Sequence, residues 1–251
     1  MATSTGAKAI HSKPDFWRFI AGLILFSAAF GYVEAAVVAY LRSLYTPVRA
    51  HFYPVTPGEL FPLLTVAQLR SLGPEHVARL RIELGRELAT LLMLAGAAMV
   101  AARSLREWVA TFVVCFGIWD IAFYIFLKLL IDWPASVLTW DILFLIPVPW
   151  SGPVIAPVIT SSSMIGSGLL LLRREYNNKP VHMTALQGSV IVLGGMFVVA
   201  AFMWDFRNTG SGGNPNSFNW ILFVVGETIG LLSFFSSLRS RRCIGSKSPL
   251  A

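Results

Sequence analysis

Carboxylates embedded in apolar runs are the residues of this sequence best placed to do chemistry. Asp120 lies inside WVATFVVCFGIWDIAFYIFLKLLI, Glu227 inside WILFVVGETIGLLSFF, and Glu34 inside FIAGLILFSAAFGYVEAAVVAYL. An ionised carboxylate at the bilayer centre costs ~2.5 to 3.5 kcal/mol, so such a residue faces the interior of a bundle and finds a partner. Asp141 follows Trp140 in a fourth apolar stretch, WPASVLTWDILFLIPVPWSGPVIAPVITSSSMIGSGLLLL, which is interrupted by Pro147, Pro149, Pro153 and Pro157. Tyr124 and Lys128 follow Asp120 at i+4 and i+8, giving one helix a single polar stripe. Trp119 and Trp140 each precede an acid and could wall a pocket.

These residues define an expected ligand- or ion-binding set: Asp120, Asp141, Glu34, Glu227, Trp140, Trp119, Tyr124 and Lys128. Glu87 and Asp205 fall nearer a membrane rim. All six acids fall between the membrane centre and the outer face, which points to an acidic, outward-opening cavity lined by spans one, three, four and six. Plainer roles compete with this one. Asp120 with Lys128, or Asp205 with Arg207, can be structural ion pairs, and Gly226 and Gly230 around Glu227 form a helix-packing GxxxG.

Other chemistry finds less support. No His lies inside a span, which argues against a bis-histidine haem. His76, Glu83 and Glu87 recur along one helical face and could reach a metal with Asp120 or Asp141, but HExxH, ExxH and CxxC are missing, so no metal ligands are assigned. Ser161, Ser162 and Ser163 have neither GxSxG context nor an intramembrane His and read as packing surface. No motif names a cofactor.

The elements that must position the acids follow from composition. The chain has 251 residues, of which 55% are hydrophobic and 13% charged; soluble domains carry about 25% charged residues. An all-α polytopic membrane bundle of about six spans is expected: Phe19 to Leu41, Leu84 to Ala102, Trp108 to Ile131, a broken fourth element, Leu186 to Trp204, and Trp220 to Leu238. The prolines divide the fourth element into a short, re-entrant helix Ala135 to Ile146 and a span from Val154 to Leu172. One transmembrane domain, 19–238, is thus flanked by a tail at 1–18 and a basic tail at 239–251.

The one long connection, 42–84, contains two further helix signals. Thr65 and Gln68 have capping-box spacing, and Pro74 suits the first turn of a second helix continuing into span two as an amphipathic collar. Lys and Arg cluster at span ends, which gives a cell-membrane protein with both termini cytoplasmic and contacts to anionic headgroups, with no nucleic-acid partner. A homo-oligomer or a partner membrane subunit is also expected, because the chain is small and shows no internal repeat. Cys115 and Cys243 read as free thiols.

Three functions fit this pattern. The leading one is transporter-like handling of a cation, a proton or a small ligand. The second is an intramembrane enzyme acting on a lipid or isoprenoid-like substrate by carboxylic general-acid catalysis. The third is a non-catalytic subunit whose acids pair with basic residues of another chain.

Overall fold

The computed structural model describes residues 15–54 and 58–239, so most of the expected tails at 1–18 and 239–251, with Cys243, lies outside the described residues, while Phe16 to Arg18 already belong to the first helix and Arg239 to the last. Six helices are long and apolar enough to cross a membrane: α1 (Phe16–Ala50), α3 (Pro74–Ala101), α4 (Leu105–Ile131), α5 (Ile155–Tyr176), α6 (Ala185–Phe202) and α8 (Trp220–Arg239). Two short helices, α2 (Val66–Leu72) and α7 (Phe206–Gly210), and one strand pair, β1 (Trp140–Phe144) with β2 (Trp150–Pro153), complete the described elements. The all-α multi-pass bundle expected from composition is the fold observed.

Helix α4 is the hub, with α1, α3 and α5 all packed along it. Small residues permit the closest approaches. A Cβ on Gly31 of α1 would lie 2.8 Å from the Ala122 Cβ and the Trp119 carbonyl oxygen, and one on Gly117 of α4 would lie 2.6 Å from the Ser161 carbonyl oxygen of α5. Ile20, Leu23, Leu94, Ala110, Val114, Cys115 and Leu172 fill the centre of this four-helix group. Helices α6 and α8 pack chiefly on each other, crossing where Gly194 and Gly226 meet backbone to backbone. Phe202, Phe218 and Phe223 join that pair to Ala156 and to Trp140 and Trp150 of the strand pair.

Helix α1 runs nine residues past the expected end at Leu41, through Pro47. Nothing caps it at Arg42, and Val38, Arg42, Tyr45 and Arg49 continue the face begun by Glu34. Both helix signals of the long connection are as expected. Thr65 Oγ1 accepts from Gln68 N–H, the Gln68 side chain accepts from Thr65 N–H, and Pro74 opens α3. Thr65→Ala should cost ~1 kcal/mol, confined to α2 and visible as faster amide exchange at Gln68.

The fourth element departs from expectation. No helix forms at 135–146; those residues make a turn and then β1, which pairs antiparallel with β2 in the register Trp140↔Pro153, Asp141↔Gly152, Ile142↔Ser151, with a shift before Phe144↔Trp150. Pairing with β2 makes the strand, and side-chain bonds turn the segment ahead of it. Ser136 N–H donates to Thr139 Oγ1 and Leu138 N–H to Ser136 Oγ, which fixes a turn ahead of the strand. Beyond them, Thr, Trp, Ile and Phe favour a pleated strand, and Pro147 and Pro149 sit in its connection rather than its ladder.

Candidate functional site

A cavity of about 560 Å³ lies between α1, α3, α4, the segment following residue 58 and the inner side of β1. Helical spacing puts its polar residues on single faces: Glu34, Val38, Arg42, Tyr45 and Arg49 on α1, and Glu83, Arg86, Glu87 and Thr90 on α3. From α4 come Trp119, Asp120, Phe123 and Tyr124, one turn apart. The strand contributes Asp141 and the run Ile142 to Leu145.

The charges are organised into two clusters. Arg86 lies between Glu34 and Glu83 and is ion-paired with both, while the Thr90 hydroxyl donates to Glu34 at 3.3 Å. In the second, the Tyr124 hydroxyl donates to Asp141 at 2.9 Å, and Arg42 approaches the other Asp141 oxygen at 3.8 Å. The Arg42 guanidinium also lies 3.7 Å over the Trp133 ring, and Trp133 Nε1 is fixed by the Gly58 carbonyl at 2.8 Å. Three further cavity carboxylates, Glu59, Glu87 and Asp120, lie outside these ion pairs. Glu87 accepts the Leu145 amide at 2.9 Å and so ties α3 to the residue that follows β1. Among the described residues Asp120 accepts one hydrogen bond, from the Ser161 hydroxyl at 2.8 Å, and it is buried.

The charge count follows. Glu34, Glu59, Glu83, Glu87, Asp120 and Asp141 line the cavity with Arg42, Arg49 and Arg86, so with all groups ionised its net formal charge is −3. The chain matches no family model, no curated protein and no solved structure. What the cavity can do therefore rests on its own side chains. Its excess of carboxylate attracts cations, its indole faces can receive one, and the buried Trp119 Nε1 and Arg42 Nε donors have no acceptor among the described residues.

Of the expected set, Asp120, Asp141, Glu34, Trp119 and Tyr124 are brought together here. Three residues are not. Lys128 pairs with Asp132 at 2.7 Å and reaches the Pro134 carbonyl, closing the end of α4. Trp140 packs edge-on against Phe61 and Phe218. Glu227 accepts from Thr160 at 2.6 Å, where α8 meets α5, so the last span contributes no wall. The wall comes instead from α3, whose Glu83, Arg86 and Glu87 read in sequence as collar or rim charges; their 3- and 4-residue spacing to Thr90 was the available signal.

Asp205 also has a local task. Burial raises its carboxyl, but bonds from Asn216 N–H, the Asn208 amide and the Asn216 amide outweigh that and hold it below the usual range, ordering the loop before α8. Among the described residues no group of three His, Cys, Asp or Glu is arranged to hold a metal; His76 instead lies 3.6 Å from Glu75.

Proposed function

We propose that this multi-pass membrane protein binds a small organic cation in the cavity, as a transporter does in its outward-open state, with Asp120 as the receiving carboxylate. The observation that carries the reading is the carboxylate excess around one cavity, with Asp120 buried and in no ion pair among the described residues. The volume, about 560 Å³, suits a molecule rather than a bare ion, because ligand pockets run from about 300 to 1,000 Å³. The Arg42–Trp133 stack supports it too, since an aromatic face at this mouth already holds a cation. Below the cavity, the packed centre of α1, α3, α4 and α5 closes the opposite side. The Lys and Arg distribution favours an orientation with this mouth outside and both termini cytoplasmic.

Tetramethylammonium titrated into the purified protein in nanodiscs, with heat or tryptophan emission as the readout, tests the proposal. Saturable binding by wild type that weakens at least tenfold in Asp120→Asn, a loss of about 1.4 kcal/mol, is expected. The substitution keeps an acceptor for Ser161, so unfolding midpoints should stay close to wild type. Absence of binding, or equal binding by both proteins, would overturn it. A second reading, general-acid catalysis on a lipid-like substrate, is favoured by one contact: the buried Tyr124 hydroxyl held on Asp141. Chemical change of an added lipid, abolished by Tyr124→Phe, would favour the enzyme.

A further inference from the structure

Arg42 keeps only 17% of its side-chain surface exposed, yet its buried Nε has no acceptor among the described residues, and its ion-pair partner Asp141 stands at 3.8 Å, beyond hydrogen-bond reach. Asp141 is committed to Tyr124, whose hydroxyl donates to its other oxygen at 2.9 Å. Trp133, itself fixed by the Gly58 carbonyl, covers one face of the Arg42 guanidinium at 3.7 Å. A guanidinium stacked on a ring keeps its N–H groups in its own plane and free, the arrangement that takes a carboxylate with two parallel hydrogen bonds. Buried donors are rarely left without an acceptor, and here Arg49 Nε, two turns further along the same face of α1, and Trp119 Nε1 share the condition. The same cavity thus holds donors that need an anion and, in Asp120, a buried carboxylate with no cation among the described residues.

We infer that the ligand is a zwitterion, a small ammonio carboxylate whose cationic end lies at Asp120 and whose carboxylate is taken by Arg42. This rests on the cation-binding reading above and supplies the other half of the ligand. Asp120 and Tyr124 are one turn apart on α4, about 6 Å along its axis, and Tyr124 leads through Asp141 to Arg42. A propylene link between the two charges suits that separation. The field of the cavity sets the order of preference. At a net formal charge of −3 it repels a free carboxylate, so the anionic end enters only when joined to an ammonium. Arg42 has donors enough to face Asp141 and a ligand carboxylate together.

Trimethylammoniobutanoate, butyltrimethylammonium and butanoate, titrated separately into the full chain in nanodiscs, test the inference. Wild type should bind the zwitterion at least about tenfold tighter than butyltrimethylammonium, and butanoate should not bind. That preference should vanish in Arg42→Gln and survive in part in Arg42→Lys, which keeps the charge but lacks the planar fork. The preference is a ratio of affinities within one protein, so a misfolded fraction lowers the number of sites and leaves it unchanged, and the wild-type comparison needs no variant. Equal affinity of wild type for the two ammonium compounds, tight binding of butanoate by itself, or a preference undiminished in Arg42→Gln would overturn the zwitterion while leaving the cation site standing. Failure of both ammonium compounds to bind would remove the cation site as well.

Discussion

Arg86→Met is expected to lower stability by ~3 kcal/mol, at the lower end of what removing one partner of a buried ion pair costs. The lower end applies because the Arg86 side chain keeps 22% of its surface exposed. The loss arises from what remains: Glu34 and Glu83, their side chains 10% and 16% exposed, would share one wall with no cation between them. Denaturant or SDS titration in mild detergent checks it through the unfolding midpoint. Glu34→Gln in the Arg86→Met background should restore a good part of the loss, because it removes one of the stranded charges. A double variant no more stable than Arg86→Met would mean that the bridge is not what holds α1 to α3.

Gly117→Val should be of similar size. Its Cβ would stand 2.6 Å from the Ser161 carbonyl oxygen and 2.8 Å from Ile165 Cγ1, so α4 and α5 have to separate. Overpacking of this kind costs ~1 to 3 kcal/mol, and backbone on one side leaves little room to yield. There is also a functional consequence, since the same contact carries the Ser161 hydroxyl to Asp120. Tetramethylammonium affinity should fall together with the unfolding midpoint. Gly166→Ala is the control: it is on α5, its added methyl meets nothing within 4 Å, and it should match wild type or gain slightly through helix propensity. Equal damage from both substitutions would show that the α4–α5 approach is not the cause.

What the sequence made legible was whatever depends on solvent and period. Six spans, the Thr65–Gln68 cap and the Pro74 start all follow from local rules, and so did the grouping of Asp120, Tyr124 and Glu34, because a charge in an apolar helix has few places to face. Harder were the features decided by pairing at a distance. The stretch around Asp141 reads as a short helix by hydropathy, yet becomes a strand because Trp150 to Pro153 can pair with it and Glu87 can take the Leu145 amide that follows it. Arg42, Arg49 and Arg86 lie in or beside the long connection, at the margins of the apolar segments, and only the packing of α1 and α3 on α4 turns them inward. Glu227 misled for the opposite reason. A carboxylate at membrane depth needs a partner, but Thr160 supplies one without any cavity.

The pairing of α6 with α8 has a bearing on how the chain is made. Every residue lining the cavity lies between Glu34 and Leu145, and Ser161, which holds Asp120, follows soon after. The last two spans pack chiefly on each other and reach the rest mainly through the strand pair and the side of α5. In a chain released from the ribosome N-terminus first, the charged walls are all in the bilayer before α6 and α8 emerge. The costliest groups to strand in lipid are thus the first to meet their partners, and the closing pair is added to a membrane that already contains the finished pocket.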